Sequence, residues 1–495
     1  LGKPKIGEYY LCLRGFTMPI KTIRSIINGK EAPSKLPPFD KIYPATGEVI
    51  ASVEPASPDM LDEAVQHAAE AQKKWAGMAG HERSRILNNI AQILQDHNEA
   101  LSAIEVQDVG KVYAEAVSAD VPSGAEAFAF FASLAATYHG TSHKWPEAIG
   151  YTMRVPLGVC AGIGAWNYPV QVACWKAAPA LAAGNAFILK PSEETPLTAN
   201  VLADLFNVAG LPQGLFQVVH GDHEIGQAIC AHPQIAKISL TGGVDTGKLI
   251  MAQSAQTLKK VTLELGGKAP LLVFDDCDFD VAVQTALDAN FYTAGEVCSN
   301  ATRVFVQDSL AEKFIDAVTS KAKSMVIGDP MKPETQIGAL ISKEHMQNVL
   351  AHIQNAEKQG AKIVAGGKQV CPKELEGGYF IEPTILRDCT DDMDCVREEI
   401  FGPVMSVLTF TDEAEAVRRA NDTPFGLGAG IMTRDLSRAH RVADQLQAGN
   451  IWINSYNLIP PGLPFGGSKQ SGFGREGSIY AMEAYTEVKA VYVQL

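Results

Sequence analysis

Three segments place a polar side chain where its chemistry, more than its packing, draws notice. In Gly295-Glu296-Val297-Cys298-Ser299-Asn300 a cysteine follows a helix-like run, with a glycine shortly before it and a small residue after. That setting suits a thiol presented at a helix end or tight loop, where backbone N–H groups stabilise a thiolate nucleophile. Taken alone, such a cysteine is more often a small buried hydrophobe. In Val261-Thr262-Leu263-Glu264-Leu265-Gly266-Gly267 a carboxylate sits inside an apolar strand that ends in a Gly-Gly turn. In Ala165-Trp166-Asn167-Tyr168-Pro169 an amide lies between two aromatic rings.

The chain that must position these groups has 495 residues, 46% hydrophobic and 20% charged, which implies more than one domain and ample core. A net charge of −14, with no dense Lys/Arg run, argues against a nucleic-acid or anionic-membrane partner. The nine cysteines show no CxxC and no Cys/His ligand spacing. Neither a disulfide framework nor a zinc site is expected, and a reducing compartment, the cytoplasm, fits best. No apolar run reaches the roughly 18 residues of a membrane span. Residues 1–17 read as an N-terminal extension without a signal-peptide pattern, with Met18 a candidate initiator and a mitochondrial leader the competing reading.

Periodicity gives an α/β alternation. Ser57-Pro58 opens a helix with serine as N-cap, and apolar Leu61, Ala64, Val65 and Ala68 follow helical spacing. Residues 85–97 and 114–136 read as further helices, and Thr46-Gly47 as a hairpin-like turn. From Val159 strands (159–163, 186–189, 216–219, 235–240) alternate with helices (172–181, 196–208, 225–231, 246–254), which implies a doubly wound, mostly parallel sheet. Beyond Leu271 a second α/β set begins: strands 303–306, 362–364 and 404–409, helices 311–325, 343–359, 413–420 and 436–447. The second set carries Cys298, so the site is expected in the cleft between the two domains.

Cofactor signals are individually weak. Gly162-Ile163-Gly164 is only a fragment of a dinucleotide fingerprint, since Asn167 occupies its third glycine position. Leu240-Thr241-Gly242-Gly243-Val244-Asp245-Thr246-Gly247 follows a strand and opens a helix, so its N–H groups suit a pyrophosphate; a merely tight turn is the alternative. Lys190-Pro191-Ser192-Glu193 follows the strand beside which an adenosine ribose would lie, and a carboxylate there accepts from ribose hydroxyls and repels a 2′-phosphate.

Together the motifs around Asn167, Glu264 and Cys298, in that order, resemble the aldehyde dehydrogenase superfamily from about Ile26 to the C-terminus. The resemblance implies a Rossmann-type NAD-binding domain (residues 18–137 and 158–265), an α/β catalytic domain (266–470) and a small β bridging element (138–157 and 478–495). That element would serve a dimer or tetramer, with the strand Val488–Val493 pairing across subunits. It implies Cys298 as nucleophile, Asn167 as oxyanion donor and Glu264 as the base that hydrolyses a thioester. Lys176 and Glu476 match a pair that some members use as a proton relay, a purely structural ion pair being the alternative. NAD, preferred over NADP, would be held by Gly164, Ala165, Trp166, Lys190, Ser192, Glu193, Thr241, Gly242, Gly243, Glu399 and Phe401. No catalytic metal is implied, though related enzymes hold structural potassium.

Within the superfamily, Tyr168, Trp175 and Tyr456, with Phe465 nearby, resemble the aromatic box of betaine aldehyde and aminoaldehyde dehydrogenases, most closely the 4-trimethylaminobutyraldehyde type. Aromatic faces attract a quaternary or protonated amine. The alternatives are a broad aliphatic or aromatic aldehyde dehydrogenase and, more remotely, a crystallin-like structural protein. Glu296 stands where glutamine is commoner in the family, Gly243 where serine is frequent and Ala301 where glycine is frequent; none of these removes a catalytic group.

Overall fold

A computed structural model describes residues 21–495. The expected N-terminal extension, residues 1–17, and Met18 lie outside the described residues. Alternating apolar strands and amphipathic helices build two packed cores, one drawn from residues 23–265 with Ala481, Met482 and Tyr485, the other from residues 271–446.

The first core surrounds an eight-stranded sheet. Its parallel centre runs Lys260–Glu264, Ile235–Thr241, Val159–Ile163, Ala186–Lys190, Phe216–Val218. The antiparallel hairpin of Ser25–Ile27 and Lys30–Ala32 closes one edge, and Gly472–Phe473 closes the other beside Glu264. Val159–Ile163 and Ala186–Lys190 are buried along their whole length, as parallel strands covered on both faces must be. The second core surrounds a seven-stranded sheet in the order Lys362–Ala365, Thr384–Arg387, Val404–Phe410, Arg303–Gln307, Pro270–Val273, Gly428–Met432, Asn450–Ile453. All its pairs are parallel except that of the first edge strand.

Ser57 caps the helix Pro58–Gly77 as its sequence predicts, accepting from the Met60 N–H. The stretch 114–136 is not one regular helix. A π-helical turn, Ala116–Asp120, precedes the helix Val121–Ala135, because Pro122 has no N–H to continue an i→i−4 ladder. A separate three-stranded antiparallel sheet joins Ser142–Trp145, Ala148–Pro156 and Thr486–Gln494. The C-terminal strand, expected to pair across subunits, pairs over its full length with Ala148–Pro156 of its own chain. Among the described residues no helix is long and apolar enough to cross a membrane.

Candidate active site

The nucleophile loop begins where the helix Phe279–Phe291 stops. Three consecutive residues, Thr293 (φ 49°), Ala294 (φ 48°) and Gly295 (φ 81°), then adopt left-handed backbone, which costs energy for the two that carry a Cβ. The buried Glu115 carboxylate holds this turn, accepting from the Thr293 amide at 3.0 Å and its hydroxyl at 3.1 Å. Asn300 N–H closes a turn on the Val297 carbonyl, leaving Cys298 half-buried at the floor of a cleft.

The Gly-Gly turn after Glu264 has a steric cause. A Cβ on Gly266 would collide with the Glu399 carboxylate, and one on Gly267 would lie 2.7 Å from the Cys298 carbonyl oxygen. Glycine therefore lets the end of the first sheet, the nucleophile loop and the Glu399 segment meet. Gly267 N–H donates to Glu399 Oε1 at 2.9 Å.

Glu264 ends its strand buried at 5% exposure, and neither carboxyl oxygen has a hydrogen-bond partner among the described residues. Burial, then the charge of Glu476, pushes its pKa well above the ordinary carboxyl range, opposed by Lys176 and Arg475. Burial also lifts Glu399 to about 7. Asn167, buried, donates from Nδ2 to the Glu296 carbonyl at 2.9 Å, which leaves its second N–H for another acceptor.

Cys298 departs from the thiolate expected of a helix-end cysteine. It lies beyond the C-terminal, electronegative end of its helix, and burial, then Glu399 and Glu264, pushes its thiol up to about 12. The resting nucleophile is a neutral thiol.

One cleft gathers Gly164, Ala165, Trp166, Asn167, Lys190, Glu193, Thr241, Gly242, Gly243, Glu264, Cys298, Glu399 and Phe401. Ser192 is the exception. Its hydroxyl turns back to accept the Glu194 N–H at 3.3 Å, so the turn that aims Lys190 and Glu193 into the cleft aims Ser192 away from it. The cleft fits a dinucleotide on its own geometry. The helix Val244–Ser254 opens onto it with no side-chain cap, and the space where a Gly243 Cβ would stand is open, so first-turn N–H groups are left for an anion. His345 was not legible in the sequence; it lines the same cleft, packs edge-on against Trp166 and donates from Nε2 to the Phe401 carbonyl at 2.7 Å.

Beyond Cys298, a small apolar cluster of Leu427, Trp452 and Phe465 packs with Trp175, Tyr456 and Cys298 itself. Trp175 meets Phe465 edge-on at 5.7 Å and donates from its indole N–H to Ser123 Oγ at 2.9 Å. Tyr456 stacks at a tilt on Trp452 at 4.7 Å and donates its hydroxyl to the Ser299 carbonyl at 2.8 Å. Tyr168 stands apart. It is the N-cap of the helix Pro169–Ala182, outside its regular turns, its hydroxyl pairs with Thr293 Oγ1 at 2.8 Å, and Lys111 Nζ already lies 3.5 Å from its ring centroid. Tyr168 therefore does not share the helix that carries Trp175, and one face of the tyrosine is occupied by the protein's own cation.

Fold and cleft define an oxidoreductase of the dinucleotide-binding α/β class, with a cysteine beside the cofactor cleft. The chain belongs to the aldehyde dehydrogenase family, whose profile matches residues 31–491. It is 52% identical over 457 residues to a betaine aldehyde dehydrogenase of Rhizobium leguminosarum bv. trifolii, covering 92% of this chain and 93% of that one. Among solved structures, the NAD⁺ complex of aldehyde dehydrogenase from Bacillus cereus superposes with TM-score 0.95 at 39% identity, over 100% of this chain and 99% of that one. A betaine aldehyde dehydrogenase point mutant from Staphylococcus aureus, solved with NAD⁺, superposes with TM-score 0.92 at 35% identity, over 95% and 97%.

Proposed function

We propose that this chain oxidises a cationic aldehyde, of the betaine aldehyde or 4-trimethylaminobutyraldehyde kind, to its carboxylic acid with NAD. The observation that carries the reading is the position of Cys298, with the cleft lined by Asn167, Glu264 and Glu399 on one side and the Trp175–Phe465–Tyr456 aromatics on the other. The betaine aldehyde dehydrogenases to which the chain is similar support the substrate class.

Cys298 Sγ adds to the carbonyl carbon and makes it tetrahedral, which hydride loss requires. The Asn167 amide and the Cys298 N–H donate to the resulting oxyanion, an effect worth about 3–4 kcal/mol per donor in comparable sites. NAD, when bound, supplies the hydride acceptor and a cationic ring that favours the thiolate. Glu264, its carboxyl oxygens unpartnered, takes a proton from the water that hydrolyses the thioester. The Lys176–Glu476 pair lies behind it as a route for that proton. Lys190 and Glu193 would hold the adenine ribose, Glu399 the nicotinamide ribose, and Phe401 would pack beside the nicotinamide ring. The division into NAD-binding domain, catalytic domain and bridging element, homo-oligomeric assembly through the three-stranded sheet and residence in the cytoplasm belong to the same reading.

Steady-state NAD reduction with 4-trimethylaminobutyraldehyde, betaine aldehyde and hexanal, with Cys298→Ala as blank, tests it. Cationic aldehydes should lead in kcat/KM by about tenfold or more, which is about 1.4 kcal/mol of transition-state binding. Parity with hexanal would make the aromatics a plain apolar tunnel and the enzyme a general aldehyde dehydrogenase.

A further inference from the structure

Behind the nucleophile loop lies a run of buried charge that the reaction itself does not use. Lys111, Glu115 and Asp120 come from one short segment, and Asp120 closes the π-helical turn Ala116–Asp120. Their side chains are all buried. The Lys111 ammonium lies 2.5 Å from Asp120 Oδ2 and 3.5 Å from the centroid of the Tyr168 ring. One tyrosine face is thus held by a cation that is itself held by a carboxylate. Just beyond the tyrosine, the Val170 N–H donates to both oxygens of the buried Glu105 at 3.3 Å.

From the other end of Tyr168 runs a chain of hydroxyls. The Thr293 hydroxyl donates to Glu115 Oε2 at 3.1 Å, and a hydroxyl has one proton to give. The Tyr168 hydroxyl, 2.8 Å from Thr293 Oγ1, is therefore the donor to it. Glu115 also accepts the Thr293 N–H at 3.0 Å. Burial pushes Glu115 up to about 8; the bonds from Thr293 and the charge of Lys111 oppose that rise, and Asp120 adds to it. These bonds converge on a residue ill suited to its backbone, since Thr293 is β-branched and left-handed, with φ 49°. Such a conformation persists only where the surroundings over-determine it.

The two segments that carry the oxyanion donor and the nucleophile are thereby cross-linked twice. Asn167 Nδ2 donates to the Glu296 carbonyl at 2.9 Å, and the adjacent Tyr168 donates to Thr293 at the other end of the same turn. A single bond would leave a hinge. Two bonds, from neighbouring residues to both ends of the turn, fix separation and rotation together. What they fix is Asn167 against Cys298, which follows Glu296 closely in the chain.

We propose that Tyr168 and Thr293 are positioning residues, whose hydroxyl chain to Glu115 sets the nucleophile loop against Asn167 while Lys111 and Asp120 hold the tyrosine ring. The resemblance places Tyr168 among the aromatics that meet a substrate cation; in the structure its ring and its hydroxyl are both engaged by the protein. Neither Tyr168 nor Thr293 lines the cofactor cleft. Loss of the chain therefore slows acylation, where a small misplacement of reacting groups is costly, and leaves cofactor binding alone. The inference rests on the roles proposed above for Cys298 and Asn167.

Single turnovers test it, with NAD saturating, betaine aldehyde limiting and NADH followed by stopped-flow absorbance. The rate constant is taken at its plateau, reached by raising enzyme concentration. A loss of folded enzyme changes the concentration needed, whereas a loss of geometry lowers the plateau. Assays at about pH 9, roughly a unit above the Glu115 value, keep that group a carboxylate. Thr293→Val keeps the shape without the hydroxyl, and its plateau should fall about tenfold or more. Tyr168→Phe keeps the ring and should fall by as much. Thr293→Ser restores the hydroxyl and should stay within about twofold of the unsubstituted enzyme. The double variant should lose about tenfold and not a hundredfold, because both changes break one chain. The NAD dissociation constant and the betaine aldehyde-to-hexanal ratio should each stay within about twofold. Either single variant decides the matter if the other fails a circular-dichroism check of folding. Unchanged plateaus overturn the proposal, and so do additive losses in the double variant. A ratio that falls in Tyr168→Phe also overturns it and returns the tyrosine to the substrate site. Cys298→Ala separates these failures from failure of the underlying reading. NADH formed by that variant at the unsubstituted rate overturns the nucleophile itself, whereas a silent Cys298→Ala beside unchanged hydroxyl variants overturns the positioning alone.

Discussion

The Lys176 ammonium lies 2.6 Å from Glu476 Oε1, both side chains are buried, and Ser239 Oγ lies 3.0 Å from the lysine nitrogen and 3.1 Å from the same carboxylate oxygen. The two charges act on Glu264 with opposite sign: Glu476 raises its pKa and Lys176 lowers it. A base with a raised pKa gains activity only as pH climbs through that value. Glu476→Gln removes the raising charge and leaves the lysine unopposed, so the acid limb of kcat against pH should move down by about one pH unit. Lys176→Met should move it up by about as much. Profiles taken where deacylation limits turnover provide the check, and a shift of both limbs in one direction would sink the electrostatic account.

Cys298 and Glu264 separate in pre-steady-state kinetics. Glu264→Gln should keep a burst of one NADH per subunit and then turn over about 10²–10⁴-fold more slowly, since acylation survives and water activation does not. Cys298→Ala should show no burst. A Glu264→Gln enzyme with neither burst nor turnover would assign the carboxylate to thiol activation instead.

The thiol itself makes a separate prediction. With its pKa pushed to about 12, Cys298 in the cofactor-free protein should be alkylated by iodoacetamide at a rate still rising with pH beyond 9. A free-cysteine plateau near 8.5 would contradict the burial effect. Adding NAD should accelerate alkylation at fixed pH through its cationic ring.

Glu193 is exposed at the cleft, with Lys190 Nζ 3.3 Å from its carboxylate. Its charge disfavours a 2′-phosphate, so Glu193→Ser should raise the NADP-to-NAD ratio of kcat/KM by about tenfold. Most of that change belongs in the KM for NADP. An unchanged ratio would place cofactor choice elsewhere in the cleft.

The ladder of strands and helices was readable because parallel strands buried on both faces leave unbroken apolar runs. Val159–Ile163 and the helix Lys343–Gln359 fall where periodicity places them. Most of the residues expected to hold the cofactor line the cleft, because their motifs sit at strand ends, where the fold must open one. Ser192 was not, since a hydroxyl in a turn can face the cleft or cap the turn, and composition does not choose between them. The π-turn at 116–120 hides in a helical pattern, because Pro122 disturbs the hydrogen-bond ladder without interrupting the apolar spacing. Glu115, Ser123 and His345 act across long sequence distances, on Thr293, Trp175 and Phe401 respectively. No local pattern marks such partners. The Cys298 thiolate failed for a related reason: the charges that oppose it, Glu399 and Glu264, arrive from other segments.

Trp175 offers the sharpest test of substrate choice, because one hydrogen bond from its indole N–H to Ser123 Oγ fixes its ring against Phe465. Trp175→Ala should lower kcat/KM for betaine aldehyde about 2- to 30-fold more than for hexanal, the range of one cation–π contact of about 0.5–2 kcal/mol. Ser123→Ala keeps the ring and loses only its tether. It should raise KM for the cationic aldehyde a few-fold with kcat nearly unchanged, since it loosens binding without touching the reacting atoms. Tyr456→Phe works differently, because the Ser299 carbonyl, next to Cys298, then loses its donor. Its cost should fall on both aldehydes alike and appear in kcat. If Trp175→Ala penalises hexanal as heavily as betaine aldehyde, the ring contributes apolar wall alone, and cation recognition must be sought around Tyr168, whose other neighbour is Lys111.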